Sequence, residues 1–356
     1  MDPGTAHGPS VTTMQMHGPS VRLPIFVALS VLAGAALLGV SVGPANLPLS
    51  TVLSALASHL PFLHHHFHVS RVDSDIIWEI RLPRVVLGGL VGMMLAGGGA
   101  AYQGVFRNPL ADPYLLGIAA GAGLGATAVI VTGQQSSVLL PAAAFVGAVG
   151  AVTITYVVGA TVGGRRTSTS IVLAGVAVAA LLTAIQTYLQ QRHTPSLATV
   201  YSWILGSLTT ATWSHVTLIL PYVAVSAIVL VSHRRLLDVL RIGEDEADTV
   251  GVSSSRVRLT VVAAATLGTA AAVAVSGLIG FVGIIVPHTV RLTTNASYRV
   301  IVPVSMIGGG AFLILADVAA RTVEAPAEIP IGVVTAFVGA PFFLFVLRSR
   351  RAQQGM

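Results

Sequence analysis

Cysteine is absent from this chain, and only 9% of its 356 residues are charged. All of the basic residues are arginine, so lysine is missing as well. Without cysteine there is no disulfide framework and no thiol chemistry. Without lysine the chain cannot build the phosphate-cradling loop of an ATPase, which needs a Lys before its Ser or Thr. ATP hydrolysis coupled to this chain must therefore take place on a separate subunit. Soluble domains carry about 25% charged residues. With 54% hydrophobic residues and a mean hydropathy of +0.84, the chain reads instead as an all-α polytopic membrane protein. Barrel strands alternate apolar and polar residues, and these apolar runs do not.

A crossing helix needs about 20 apolar residues. Candidate spans fall at 23–42, 85–106, 114–132, 138–160, 171–190, 213–232, 259–276, 278–292, 300–318 and 329–347, ten in all. Only Gly277 separates the spans at 259–276 and 278–292. The positive-inside rule orients the set. With the N-terminus in the cytoplasm, Arg22, Arg107, Arg165, Arg166, Arg234, Arg235, Arg241, Arg256, Arg258, Arg291, Arg299, Arg348, Arg350 and Arg351 lie inside, and Arg71, Arg81, Arg84, Arg192 and Arg321 lie outside. Merging the closely spaced pair would turn the C-terminal arginines outward, against the rule. Both termini are therefore expected inside. Five spans precede the loop 191–212 and five follow it, which inverts one half against the other, as in inverted-repeat transporters. The net charge of +6 is accounted for by loop arginines, so a nucleic-acid partner is not expected. Residues 1–22 and 348–356 read as cytoplasmic tails flanking one transmembrane domain, 23–347; the first tail carries a short repeat, His7–Val11 and His17–Val21.

No acidic residue or histidine lies near the centre of a span. Ion-coupled transporters need an intramembrane ionisable group, so its absence argues against an ion-coupled secondary transporter, which is kept as the alternative, and against an intramembrane enzyme; no catalytic residue and no metal ligand is assigned. The loop 233–258 holds a short helical piece, Glu244–Val250, bracketed by Gly243 and Gly251. It is either a plain solvated loop or a docking helix. Asp317 and Arg321 sit four apart, the spacing of a helical ion pair. Trp78, Tyr201, Trp203 and Trp213 fall at outer span ends, as an interfacial aromatic belt would. His64, His65, His66 and His68 cluster in the outer loop 43–80. Such a cluster suits a metal or haem, though an ordinary exposed loop is the simpler reading.

Several motifs follow one another in order: Ile80–Arg84; Gln103 with Arg107–Pro113 and Leu116–Gly117; Leu173–Val176; Trp203–Ser207; Gly277–Gly283 with Val286–His288 and Arg291; Leu315–Asp317 with Arg321; Pro326–Thr335 with Gly339–Pro341. In this series the chain resembles the FecCD family of ABC-importer permeases, from about residue 23 to 347. The resemblance implies the type II importer permease fold and a homodimer in a bacterial cytoplasmic (inner) membrane. It implies as partners two cytoplasmic ATPase subunits, which hold ATP and Mg, and an extracytoplasmic substrate-binding protein, with no cofactor in this chain. The implied cargo is a metal chelate, namely a ferric siderophore, haem or cobalamin, moved inward by alternating access. Arg81, Arg84 and Arg321 would face outward and pair with the binding protein. The loop at about 238–256, with Gly243, Glu244, Ala247, Asp248, Gly251 and Val252, would couple to the ATPase. Thr183, Gln186, Thr187, Gln190, Trp203 and Leu205 would line the translocation path.

Overall fold

Inside a bilayer every backbone N–H and C=O must be bonded within the chain, and a helix does this locally. The computed structural model describes residues 22–43, 45, 47–58, 69–134, 136–161, 168–294 and 297–354, and contains helices and no strand among them. In chain order the helices are α1 (Arg22–Ser41), α2 (Leu49–Ser58), α3 (Arg71–Asp75), α4 (Leu82–Val105), α5 (Ile118–Ile130), α6 (Leu139–Thr161), α7 (Ser168–Arg192), α8 (Leu197–Ile204), α9 (Trp213–Leu240), α10 (Glu244–Thr249), α11 (Ser254–Ser276), α12 (Val282–Thr293), α13 (Tyr298–Thr322) and α14 (Ile331–Gln354). Short 3₁₀ turns, Pro113–Leu116 and Thr194–Ser196, lead into α5 and α8.

Each expected span coincides with a helix, but with altered bounds. Seven segments are long and apolar enough to cross a membrane: α1, the continuous run Arg71–Val105, α6, α7, α9, α11 and α13. α5, α12 and the apolar part of α14, Ile331–Val346, are shorter. The stretch expected as an outer loop, 43–80, contains α2, α3 and a π-helical segment, Ile76–Arg81, that runs directly into α4. Hydropathy missed this extension because Asp73, Asp75 and Glu79 dilute it. The π turn has a local cause: Pro83 has no N–H to give, and the Leu82 N–H reaches back five residues to the Ile77 carbonyl. The loop 191–212 likewise contains α8. The residues 1–21 and the cluster His64–His68 lie outside the described residues.

α4, α11 and α13 form the buried centre, while α1, α6, α7 and α9 are mostly exposed to the surroundings. α4 and α13 run antiparallel, since Arg84 meets Asp317, while Gly92 faces Gly309 and Gly104 faces Tyr298. A Cβ at Gly92 would collide with the Gly309 carbonyl, and one at Gly99 with the backbone of Gly283 on α12. Glycine there lets backbones touch, the usual way membrane helices gain packing without a hydrophobic drive. Arg, Asp and Glu side chains of the described spans gather at the two ends of this bundle: Arg84, Asp317 and Arg321 at one, Arg234, Asp238, Arg258, Arg291 and Arg299 at the other.

Candidate functional site: a charge-free cavity between two ionic ends

At the end where α4 begins, three arginines are folded inward. Arg81 is 4% exposed, Arg84 8% and Arg321 3%. The resemblance implies that they pair with a binding protein; in this chain they are buried, because the last turn of α1 and the end of α13 close over them. Arg81 donates Nη1 to the Val40 and Ser41 carbonyls, 2.7 Å each, and Nη2 to the carbonyl of Ala45. Arg84 donates Nε and Nη2 to Asp317 at 2.8–3.1 Å, and both terminal nitrogens to the Glu328 carboxylate at 2.9 Å. Arg321 pairs with Asp317 at 3.4 Å, as the spacing predicts, and donates Nη2 to the Gly39 carbonyl at 2.7 Å. A charge buried in hydrocarbon must be paired or fully hydrogen-bonded: Arg84 and Arg321 share Asp317, and Arg81 is held by the three backbone carbonyls. Glu328, in the loop after α13, also accepts a hydrogen bond from Thr209 Oγ1 at 2.9 Å. The Arg84 guanidinium beside it holds its carboxyl below the usual glutamate range. Trp213 Nε1 donates to the Trp78 carbonyl at 2.8 Å, so these belt residues knit the α9 start to the π turn.

At the opposite end α10 forms at the expected place, Glu244–Thr249. Ala247 is buried, its N–H donating to the Gly243 carbonyl while its own carbonyl accepts from Val252 N–H at 3.0 Å. Gly251 takes the left-handed φ of +82° that ends the helix. Glu244 forms an ion pair with buried Arg258 on α11 and a second, 3.7 Å, with Arg107. Asp248 accepts from the Ser254 N–H at 3.0 Å, capping α11. One edge of α10 is thus bolted to α11 and to the turn that follows α4. Asp245, Glu246, Ile242 and Val250 stay exposed. Asp238, on the α9 extension, accepts from Ser297 Oγ and the Tyr298 N–H, 2.7 Å each. Arg291 Nη2 donates to Gln103 Oε1 at 3.1 Å, tying α12 to α4.

Between these ends lie two adjoining cavities. One, of about 410 Å³, is lined by Thr183, Gln186, Thr187 and Gln190 of α7, with Tyr201 and Tyr114. The other, of about 750 Å³, is lined by Leu205, Phe281, Gly332, Ala336 and Phe337 among others. Tyr114, Ala119, Ile204 and Leu278 border both. Among the described residues, no Arg, Asp, Glu or His lines either one. Five of the six expected path residues therefore meet here. Trp203 does not: it packs on the hydrophobic core, and Tyr201 takes the place at the wall. Sequence reasoning missed Tyr114, whose OH donates to the Ile279 carbonyl at 3.0 Å, pinning the break between α11 and α12. It also missed Glu328, although the motif Pro326–Thr335 contains it. Apolar side chains of α7 and α14 beside the cavities are exposed: Leu173 is 65% exposed, Leu181 62% and Phe337 76%.

Buried ionic ends, glycine-seamed antiparallel helices and a charge-free cavity are the parts of a polytopic transport permease. The FecCD transport family model matches residues 30–349, and the chain belongs to that family. It is 39% identical over 350 residues to the cobalamin import system permease protein BtuC of Halobacterium salinarum, across 97% of this chain and 92% of that protein. It is 37% identical over 295 residues to the hemin transport system permease protein HmuU of Yersinia pestis, across 79% of this chain and 86% of that one. A solved structure described as a metal-chelate type ABC transporter in an inward-facing conformation superposes with a TM-score of 0.80 at 27% identity, covering 91% of this chain and 98% of that chain. The family is one of multi-pass membrane permease subunits, which are not themselves enzymes.

Proposed function

We propose that this chain is the membrane-spanning subunit of an ATP-driven importer for a bulky metal chelate. The observation that carries the reading is the pair of charge-free cavities flanked by exposed apolar side chains of α7 and α14. Two copies meeting through those side chains would close the open cavities into one central path, so the permease works as a homodimer. α5, α12 and α14 serve as short crossings beside the seven long ones, giving ten spans with both termini in the cytoplasm. The α10 end, with its exposed Asp245, Glu246, Ile242 and Val250, is the face for two cytoplasmic ATPases that hold ATP and Mg. Glu244 and Asp248 fix the angle of that helix rather than touch the partner. The Arg84 end is the outer face for an extracytoplasmic binding protein, and the buried arginines frame that face instead of contacting it.

The cargo we favour has a neutral, amide- or hydroxyl-bearing exterior, because Gln186, Gln190, Thr183, Thr187 and Tyr201 offer hydrogen bonds and no counter-charge. Cobalamin fits this description, and the relatives that import it, haem and ferric chelates mark the neighbouring choices. The test is reconstitution in proteoliposomes with the ATPase and binding protein. Uptake of radiolabelled cobalamin that requires both partners and internal-face ATP supports the proposal. Uptake driven by an ion gradient without the ATPase establishes a secondary transporter instead.

A further inference from the structure

We propose that Glu328 is a positioning residue that clasps the Thr209 turn, which continues the cavity wall, at the Arg84 end. The inference rests on the importer reading only in calling that end the outer one. Arg84 holds two carboxylates of different standing. Asp317 is 2% exposed and shared with Arg321, so it belongs to the permanent core of the bundle. Glu328 is 28% exposed at the side chain and lies in a loop, at the lip. Its Oε2 atom receives both Arg84 Nη2 and Thr209 Oγ1, at 2.9 Å each. One carboxylate therefore joins three chain segments: the start of α4, the loop before α14, and the segment 205–212.

That last segment continues directly from the cavity wall. Ile204 and Leu205 line the cavities, and Thr209 follows by a few residues. Its backbone is stitched to the same neighbours, since Ile331 and Gly332 N–H donate to the Gly206 and Leu205 carbonyls at 3.1 and 3.0 Å, and Ser207 N–H donates to the Ser276 carbonyl at 2.8 Å. Thr209 Oγ1 also meets Ser207 Oγ at 2.7 Å, so the hydroxyl that grips Glu328 shapes the turn as well. Beyond Leu208, which is buried beside Gly88, Thr209 and Thr210 are exposed before Ala211 returns to the core. The Thr209–Glu328 bond is the segment's one side-chain tie to the charged core among the described residues. Breaking that bond loosens the exposed Thr209–Thr210 turn, while the backbone ties at Leu205, Gly206 and Ser207 and the inner Arg84–Asp317 pair stay made.

The natural lack of cysteine supplies a clean background for the test. A single reporter, Thr210→Cys, is placed in the exposed turn, and the full chain in nanodiscs is labelled with a membrane-impermeant maleimide. A control reporter, Ser137→Cys, sits in the exposed loop between α5 and α6. Thr209→Val and Glu328→Ala each raise the labelling rate at position 210 by about tenfold, the factor a lost charge-assisted hydrogen bond is worth, and leave position 137 unchanged. Thr209→Ser, which keeps the hydroxyl, restores the original rate. An unchanged rate at 210 in both variants overturns the clasp, and so does a parallel rise at 137, which would report general loosening. Because the readout involves no transport, failure of ATP-driven uptake leaves this test standing, and failure here leaves the importer reading intact.

Discussion

Asp317→Asn removes a charge and keeps the shape. Asp317 is 2% exposed, and it faces Arg84 and Arg321, which are 8% and 3% exposed. Arg84 contacts it through three hydrogen bonds of 2.8–3.1 Å, and Arg321 at 3.4 Å. Removing one partner of a buried ion pair costs about 3–5 kcal/mol, because the remaining charge stays desolvated. Arg84 retains Glu328 and Arg321 retains the Gly39 carbonyl, so the lower figure, about 3 kcal/mol, applies. That is a shift of about a hundredfold in the unfolding equilibrium. Glu328→Gln is the internal comparison: its partly exposed side chain is in water's reach, and the cost is about 1 kcal/mol. Denaturant unfolding in detergent, followed by tryptophan fluorescence, reads both variants, since Trp78 and Trp213 lie at this end of the bundle. Adding Arg321→Gln to Asp317→Asn costs less than the two separate losses, because the uncompensated cation has gone. A loss for Asp317→Asn no larger than for Glu328→Gln refutes the reasoning that burial sets the magnitude.

Gly99→Val forces α4 away from the Gly283 backbone and lowers stability by about 1–3 kcal/mol, while Gly34→Ala, which meets nothing within 4 Å, changes it by no more than about 0.5 kcal/mol; thermal unfolding compares the two. Glu244→Arg sets like charge against Arg258 and Arg107 and loosens α10, so ATP-dependent uptake in proteoliposomes falls while ATP turnover continues; intact uptake removes α10 from the coupling path. Gln186→Leu with Gln190→Leu lowers uptake of an amide-bearing chelate several-fold without changing ATP turnover, and equal uptake shows that α7 does not touch the cargo. The Glu328 carboxyl has a lowered folded-state pKa, so its stabilisation is present at neutral pH and is lost as pH falls through that lowered value. Unfolding temperature therefore drops more on acidification in the unmodified chain than in Glu328→Gln.

The helices were legible in the sequence because apolar length and helical structure are nearly the same statement within a bilayer. What composition hid was short or polar helix. Arg71–Arg81 carries Asp73, Asp75 and Glu79, and α8 has only eight residues, so hydropathy treats both as loop. α10 was legible because Gly243 and Gly251 punctuate it. The Asp317–Arg321 pair was visible as a spacing, yet its sharing with Arg84 joins residues 233 positions apart, which no local pattern encodes. The same separation explains the inward turn of the three arginines: a charge flanking a span reads as exposed until the neighbouring chain ends that cap it are placed. Trp203 shows the reverse error. Its neighbours line the cavity, but a one-residue step on a helix rotates a side chain by about 100°, and Trp203 lands in the core.

The confinement of ionic groups to the two ends has an electrical consequence. Carrying one elementary charge through 100 mV is worth about 2.3 kcal/mol, and voltage sensors exploit this by dragging arginines through the membrane field. Arg84, Asp317 and Arg321 at one end, and Glu244, Arg258 and Asp238 at the other, are held by partners within their own layer. Helices that rock around such a bundle carry almost no charge across its middle. With a neutral cargo in the cavity, the resting potential of the cell neither pushes nor brakes the cycle, and transport runs at the same rate in an energised and a depolarised membrane.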